Sequence, residues 1–327
     1  MVSTLADTYI VRPAVQEDVE QVFALISVSQ LHWLGMVTMT LDELRVLWSS
    51  PEINLATDSW LVFSAQKEVV GYALMAHTRH ARLSIRCSVH PAYLEDGIDD
   101  FLLETAEHWA QQQVPLAAPD VRVTLQAYAM HENKAWLKAL ERHAFQPERT
   151  FWRMGIELET QPTAPSWPEN IRIVTATPDM FHAIYEADED IFQDHWGFIS
   201  QSYEEWSRWM VKRADFDPSL WYIAMDGKEI AGISLCAIER DTDGWIHVLG
   251  IRRPWRRNGL ALSLLHYTFG EFFKRGIHQV YLSVDAQSLT GATRLYERAG
   301  MHITQQSSHY MKELRGGKAL GTQTLAE

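Results

Sequence analysis

The chain has 327 residues, 46% of them hydrophobic, and a formal net charge of −13. That length suits two ordinary domains. The acidic balance argues against nucleic acid as the main partner, because phosphate backbones are bound by broad basic surfaces, and no stretch approaches the roughly 20 apolar residues of a membrane span.

The N-terminal MVSTLADTYIVRP lacks the basic-then-apolar layout of a signal peptide, so a cytoplasmic protein is expected. Residues 60–72, WLVFSAQKEVVGY, read as an apolar–turn–apolar hairpin. Residues 89–103, VHPAYLEDGIDDFLL, then run from an aliphatic residue through a proline-containing loop and one glycine into a helix pattern. ELETQPTAPSWPEN (157–170) has three prolines and few aliphatics and reads as an exposed linker.

Beyond it the same plan returns. WYIAMDGKEIAGI (221–233) repeats the hairpin, with Trp60, Lys67, Glu68 and Gly71 matched by Trp221, Lys228, Glu229 and Gly232, each displaced by 161 residues. Gly97 and Gly259 continue the match at 162, and Ala144-Phe145 with Gly300-Met301 at 156. The chain is thus one fold written twice. The copies cover 8–158 and 170–314, joined by a linker at 159–169 and followed by a flexible tail at 315–327. In the second copy PDMFHAIYEADEDIF and SYEEWSRWMVKRA read as helices, GWIHVLGI as a strand and LALSLLHYTFGEFFKR as a long helix capped by Gly276. A strand HQVYLSVDA, a helix TGATRLYERA and strands near HITQQ and HYMKEL complete an α+β plan on a mixed sheet. The cysteines Cys87 and Cys236 are too few for a repeated ligand pattern, so no metal site is expected, and buried free thiols fit better than a disulfide.

The glycine loops differ in charge. IRRPWRRNGLALSLL (251–265) sets Arg252, Arg253, Arg256 and Arg257 about a helix start, where the copy at 89–103 is acidic. A helix N-terminus offers unpartnered N–H groups and a positive dipole end, and glycine lets an anion come close. The loop suits a phosphate or pyrophosphate. It lacks the Gly-Lys-Ser/Thr of a Walker loop and the G-x-G-x-x-G of a dinucleotide site, and an exposed basic helix start without a ligand is the plainer alternative.

Strand GWIHVLGI, then RRPW, Arg256-x-x-Gly259-x-Ala261 and a long helix, with TGATRLYERAGM downstream, resembles the acetyl-CoA motif of the GNAT N-acetyltransferase superfamily. The resemblance spans nearly all of the second copy and, more faintly, the first. It implies two tandem GNAT domains, each a mixed, mostly antiparallel sheet flanked by helices. It also implies acetyl-CoA as cofactor, with the pyrophosphate on Arg256, Arg257, Asn258, Gly259, Leu260 and Ala261 and the pantetheine arm along Leu249, Gly250 and Ile251. Ser288 stands near the family's asparagine and replaces part of its contact. Tyr296 matches the general acid at the leaving thiolate.

Strict alternation puts Trp245, His247, Leu249 and Ile251 on one face of their strand. His247 is the candidate base, with Glu239 and Asp285 in reserve, and some members need no dedicated base. Asp194, His195, Trp196 and Trp245 are candidates for an acceptor pocket. In the first copy Leu94, Glu95, Asp96 and Asp99 stand for Arg256, Arg257, Asn258 and Ala261, and Leu140 for Tyr296. That copy is expected to be degenerate, non-catalytic and packed against the other. The function implied is acetyl transfer to a primary amine of a small molecule, and the alternative is a non-catalytic CoA-binding sensor or scaffold.

Overall fold

The computed structural model describes residues 5, 8–213, 215–240, 242–288 and 291–321. In chain order the elements are β1 (Ile10–Arg12), α1 (Val19–Leu34), α2 (Leu41–Trp48), α3 (Leu55–Asp58), β2 (Ser59–Phe63), β3 (Val69–Thr78), β4 (Arg82–Val89), α4 (Ile98–Gln113), β5 (Val123–Met130), α5 (Lys134–Arg142) and β6 (Gln146–Glu157). There follow β7 (Ile171–Thr175), α6 (Phe181–Phe192), α7 (Tyr203–Met210), β8 (Trp221–Asp226), β9 (Glu229–Glu239), β10 (Asp243–Ile251), α8 (Leu260–Lys274), β11 (Gln279–Asp285), α9 (Ala292–Arg298) and β12 (His302–Arg315). Capping boxes start α2 at Thr40 with Glu43 and α7 at Ser202 with Glu205, each side chain satisfying the other's free N–H.

The chain divides into two compact units, Met1–Thr150 with Ser307–Leu320 and Phe151–Gln306 with Gly321–Glu327. In the first the strand order is β1-β2-β3-β4-β5-β12; in the second it is β6-β11-β10-β9-β8-β7. Each sheet has one parallel pair, β4–β5 and β10–β11. One face of the second sheet packs Ile246, Val280 and Leu282 against Leu265, Phe269 and Phe272 of α8. The other packs Ile233, Leu235 and Val248 against Ile184 and Ile191 of α6. In the first unit Leu83, Ile85 and Leu125 meet Leu102 and Leu103 of α4, while Leu61 and Leu74 meet Val22 and Leu25 of α1.

These units differ from the boundaries 8–158 and 170–314 by the last strand of each half. From Phe151 onward β6 pairs with β11, Phe151 facing Asp285 and Glu157 facing Gln279. From Ser307 onward β12 pairs with β5, Ser307 facing Met130 and Arg315 facing Val123. HITQQ and HYMKEL are one continuous strand of 14 residues. Each half's last strand thus ends in the ladder of the other half's unit, and sequence order alone does not reveal which edge a strand joins.

The linker and tail are also fastened more firmly than expected. Leu158 is buried, Ser263 donates to the Ser166 carbonyl, and Trp167 lies edge-on to Tyr267 at 5.8 Å. Arg315 donates to the carbonyls of Val114 (3.0 Å), Ala118 and Val121 (2.9 Å), and Lys318 N–H donates to the Asp120 carbonyl. The remainder of the expected flexible tail, 322–327, lies outside the described residues.

Helix α6 fixes the basic loop. A Cβ on Gly250 would lie 2.3 Å from Cγ2 of Ile191, so glycine is what lets α6 approach β10. The residues at and beyond the helix end then reach the loop. Arg252 donates to Asp190 at 2.7 Å. Asp194, 2% exposed, receives Arg253 and, at 2.6 Å, Arg256, which also donates to the Ile251 carbonyl at 2.9 Å. Arg253 and Arg256 together hold the Asp194 carboxyl down at about 2, against the desolvation of its burial.

Two predictions follow from these contacts. Deleting the chain from Ser307 removes the β12 ladder and the Arg315 anchors, so amide-exchange protection in β5 of the first unit is lost; retained protection shows that the unit folds without that strand. Asp194 has its pKa depressed in the fold, so its contribution is complete above about pH 4 and is lost as the pH falls through about 2. Asp194→Asn is therefore less stable than the parent by about 2 kcal/mol near neutrality, and the difference in thermal unfolding narrows below pH 4. A difference independent of pH overturns the ion-pair account.

Candidate active site

A wedge opens in the second sheet. β10 is paired in parallel with β11 only from Asp243 to Ile246, facing Gln279 to Leu282. β11 stays with β6 as far as Asp285, and β10 stays with β9 as far as Ile251 opposite Gly232. From His247 onward the β11-facing edge of β10 therefore has no ladder partner, and its backbone groups are left for a ligand. Leu249, Gly250 and Ile251 lie on that edge. At its end comes the 252–259 loop and the start of α8, capped by Gly259 in the left-handed conformation (φ 87°) with nothing near its missing side chain. Arg257 also has positive φ (66°), a strained state for a residue with a side chain. It is exposed and, among the described residues, has no ion-pair partner. Asn258 spends its side-chain oxygen on the Leu260 N–H (3.2 Å). The donor set at this helix start fits a pyrophosphate: an open glycine corner, free first-turn N–H groups beginning at Ala261, and one uncommitted guanidinium.

The other arginines are committed. Asp194 is expected from sequence in an acceptor pocket; the structure instead buries it under Arg253 and Arg256. His195 and Trp196 follow it, both half-buried, with the His195 ring 4.3 Å from Phe192. Burial and then the Arg256 charge lower the His195 pKa.

The alternation expected along β10 is also corrected. A bulge lies between Ile246 and Val248, where Cys236 and Leu235 are consecutive partners. The extra residue, His247, reverses the faces. Val248 packs toward α6, while Leu249 and Ile251 pack toward α8. Trp245 pairs with Ala237 on the α6 side, so it does not share a face with Leu249 and Ile251.

His247 lies where the wedge begins. Its Nε2 is fully buried and has no hydrogen-bond partner among the described residues. Burial, and secondarily the Arg213 charge, push its pKa down to about 3. Potential ligand atoms of His247, Asp215 and Glu239 all fall within 4.8 Å of one another. Arg213 grips Asp215 with two bonds of 2.8 and 2.7 Å. Beside them Arg153 from β6 lies 4.0 Å over the Tyr281 ring and 5.1 Å over Trp245. Sequence reading missed Arg153, Arg213 and Asp215. The first arrives on a strand from the other half of the sequence, and the other two lie beyond the end of α7, Arg213 within the stretch SYEEWSRWMVKRA that reads as helix and Asp215 just past it.

Tyr296 is 7% exposed in the α8–α9 core, and burial pushes its pKa up to about 12. Ser288 accepts from the Ala292 N–H (3.4 Å), within the turn that starts α9. Asp285, the other reserve base, accepts from the Gln287 N–H (2.8 Å) at the end of β11.

The first unit repeats the frame. β4 and β5 are paired only over four residues, Arg82 to Ile85, and Gly97 caps α4 in the left-handed conformation (φ 73°). Its helix start is acidic, and the acids are bonded within the chain. Asp99, 6% exposed, accepts from the Asp100 N–H at 3.0 Å, and Asp96 receives the Tyr9 hydroxyl. Arg142 binds Asp100 through both oxygens (2.9 and 2.8 Å), and Leu140 is wholly buried.

Among the described residues no helix is long and apolar enough to cross a membrane. Residues 181–301 match the model of the acetyltransferase (GNAT) family. A mycothiol acetyltransferase of Saccharopolyspora erythraea is 25% identical over 249 residues, 74% of this chain and 81% of that protein. A tandem GNAT protein from the clavulanic acid biosynthesis pathway shares the fold at 14% identity, with a TM-score of 0.74 over 95% of this chain and 100% of that one. A GCN5-related N-acetyltransferase from Sphaerobacter thermophilus is 35% identical and superposes with a TM-score of 0.82 over 97% of this chain and 99% of its own. With that likeness along its whole length, the chain belongs to the GCN5-related N-acetyltransferase (GNAT) family and is an acyl-CoA-dependent acyltransferase.

Proposed function

We propose that the second unit transfers an acetyl group from acetyl-CoA to a primary amine of a small molecule, and that the first unit is a non-catalytic copy. The observation that carries this reading is the contrast between the two helix starts. One has an exposed arginine and an open glycine corner; the other is lined by Asp96, Asp99 and Asp100, which are bonded within the chain. A pyrophosphate beside Asp96, Asp99 and Asp100 would meet like charges in a partly desolvated place, each such contact costing more than about 1 kcal/mol. Relatives named for mycothiol support an acceptor of small-molecule size.

The coenzyme supplies an acyl thioester. The open edge at Leu249 to Ile251 orients it and offers N–H donors to the carbonyl oxygen as negative charge develops there. The amine nitrogen bonds to the carbonyl carbon, the C–S bond breaks, and the sulfur leaves as a thiolate. Tyr296, with its pKa near 12, carries its proton at every working pH and donates it to that sulfur. Solvent returns a proton to Tyr296 and takes the one the amine sheds. His247, neutral above about pH 4, accepts a hydrogen bond from the amine; a group with a pKa near 3 does not itself store the proton at neutral pH.

Calorimetric titration of acetyl-CoA gives one site per chain on this reading, and two sites overturn the silent first unit. Binding without thiol release on any amine favours a sensor, and no binding a scaffold. Arg257→Glu weakens acetyl-CoA binding roughly tenfold or more without lowering the unfolding temperature, since Arg257 has no ion-pair partner among the described residues. Arg256→Glu is not a clean test, because it sets a second carboxylate against buried Asp194. Tyr296→Phe lowers kcat on the order of 10²-fold with binding unchanged; an unchanged kcat makes the tyrosine a packing residue. His247→Gln leaves the kcat/KM profile between pH 5 and 8 with the same limbs. Loss of a limb there shows that His247 titrates near neutrality and acts as the base.

A further inference from the structure

We propose that His143 works a pH-sensitive latch in the first unit, holding the last strand, β12, and the end of α5 against α4 while its ring carries both protons and letting go when it loses one. Asp100, Glu104 and Glu107 share one face of α4, spaced four and three residues apart. His143 caps the C-terminal end of α5 beside this face, with its side chain 13% exposed. Its Nδ1 lies 3.2 Å from Oε1 of Glu107, and its Nε2 lies 3.2 Å from Oδ1 of Asp100. A neutral imidazole has a single N–H, so whichever nitrogen kept it, the other would turn a lone pair toward a carboxylate oxygen. Only the imidazolium serves both carboxylates. A cation at the end of a helix also complements its dipole.

The same carboxylates are gripped from other elements. Lys312 of β12 donates to Glu107 at 2.8 Å, joining residues 205 positions apart. Arg142 of α5 binds Asp100 and lies 3.5 Å from buried Asp99, whose pKa burial raises. Glu141 precedes it on α5, and buried Tyr310 stands two residues before Lys312 on β12. The Glu107 bond raises the His143 pKa against the desolvation of burial, and Asp100 adds to it. Burial pushes Glu107 up, but the bonds from His143 and Lys312 outweigh it and hold the carboxyl low. Since the folded pKa of His143 stands above the unfolded value near 6.5, the latch is complete below about pH 6.5 and is lost as the pH rises through the folded value. The β12–β5 ladder, from Ser307 opposite Met130 to Arg315 opposite Val123, does not depend on that proton. Release is therefore a local opening of the α5 end and of its tie to β12, at a lower free energy than global unfolding.

The test is a pH titration of the full chain, and it reads the first unit whether or not acetyl transfer occurs. In ¹H–¹³C spectra of the histidine rings, His143 titrates with a midpoint above about 6.5. The amides of His143, Ala144 and Phe145, which donate to the carbonyls of Ala139, Glu141 and Leu140, lose exchange protection through that same midpoint. The loss is about tenfold for each pH unit by which the midpoint exceeds 6.5. Glu107→Gln lowers the midpoint by roughly one unit. His143→Gln abolishes the pH step and leaves protection at the parent's alkaline level. A midpoint at or below about 6.5, or one unmoved in Glu107→Gln, overturns the latch. So does a protection step that persists in His143→Gln, because another group then titrates. Should His143→Gln fail to fold, the parent's midpoint and its response to Glu107→Gln decide the matter. Lys312→Met raises the midpoint, since Glu107 is then left to His143, and an unmoved midpoint there overturns the tie to β12.

Discussion

The carboxylate of Asp194 sets the geometry on which the rest of the site depends. It lies just beyond the end of α6, almost fully buried, and binds Arg253 and Arg256. A carboxylate so placed must be paired, because an isolated buried charge is far too costly. Its pairing fixes two points of the loop between β10 and α8, and Arg252 on Asp190 fixes a third. With those points held, the chain turns through Arg257 and Gly259, both at positive φ, before the helix begins. The strain at Arg257 is tolerated because both flanks are anchored. Gly250 belongs to the same device, since without its missing side chain α6 could not sit where Asp190 and Asp194 meet the arginines.

The duplication shows how little of a fold must change to alter the chemistry of a helix start. Both units keep a parallel pair only four residues long, a left-handed glycine at the helix start, and a backbone bond that ties the loop to the hairpin, His90 to Val70 and Arg252 to Ala231. Ala144 and Gly300, which matched in sequence, both adopt positive φ. What differs is the sign of a few side chains at the loop. In the first unit the acids satisfy local donors: Asp99 takes a first-turn N–H, and Asp96 a tyrosine hydroxyl. The same backbone thus presents unpartnered N–H groups beside an arginine in one unit and an acidic, internally bonded helix start in the other.

Much of this was legible from residue order. The hairpins, the glycine turn, the Gly276 cap and the repeat follow from local periodicity and turn chemistry, which act within a few residues. Three features were not. The bulge at His247 is one extra residue in a strand whose alternation looks regular, and only the register against Cys236 and Leu235 reveals it. The exchange of β6 and β12 is a matter of which sheet edge each strand joins. The role of Asp194 depends on a helix packing 59 and 62 positions before the arginines it binds. All three are long-range facts, settled by tertiary packing after local structure has been chosen.

An acidic chain gathers four arginines at one loop chiefly to neutralise its own acids. Three of the four are spent on Asp190, Asp194 and the Ile251 carbonyl. Counting basic residues therefore overstates the charge available to a ligand, and the same is true at the far end of the wedge, where Arg213 and Arg240 are bound to Asp215 and Asp243. Among the described residues the loop retains one guanidinium without an ion-pair partner, that of Arg257, and a set of backbone donors. Affinity there depends less on net charge than on N–H groups aimed in advance, which cost no reorganisation when an anion arrives. The internal ion pairs hold the backbone that presents those donors, so losing one of them alters the loop through its shape before it does so through its charge.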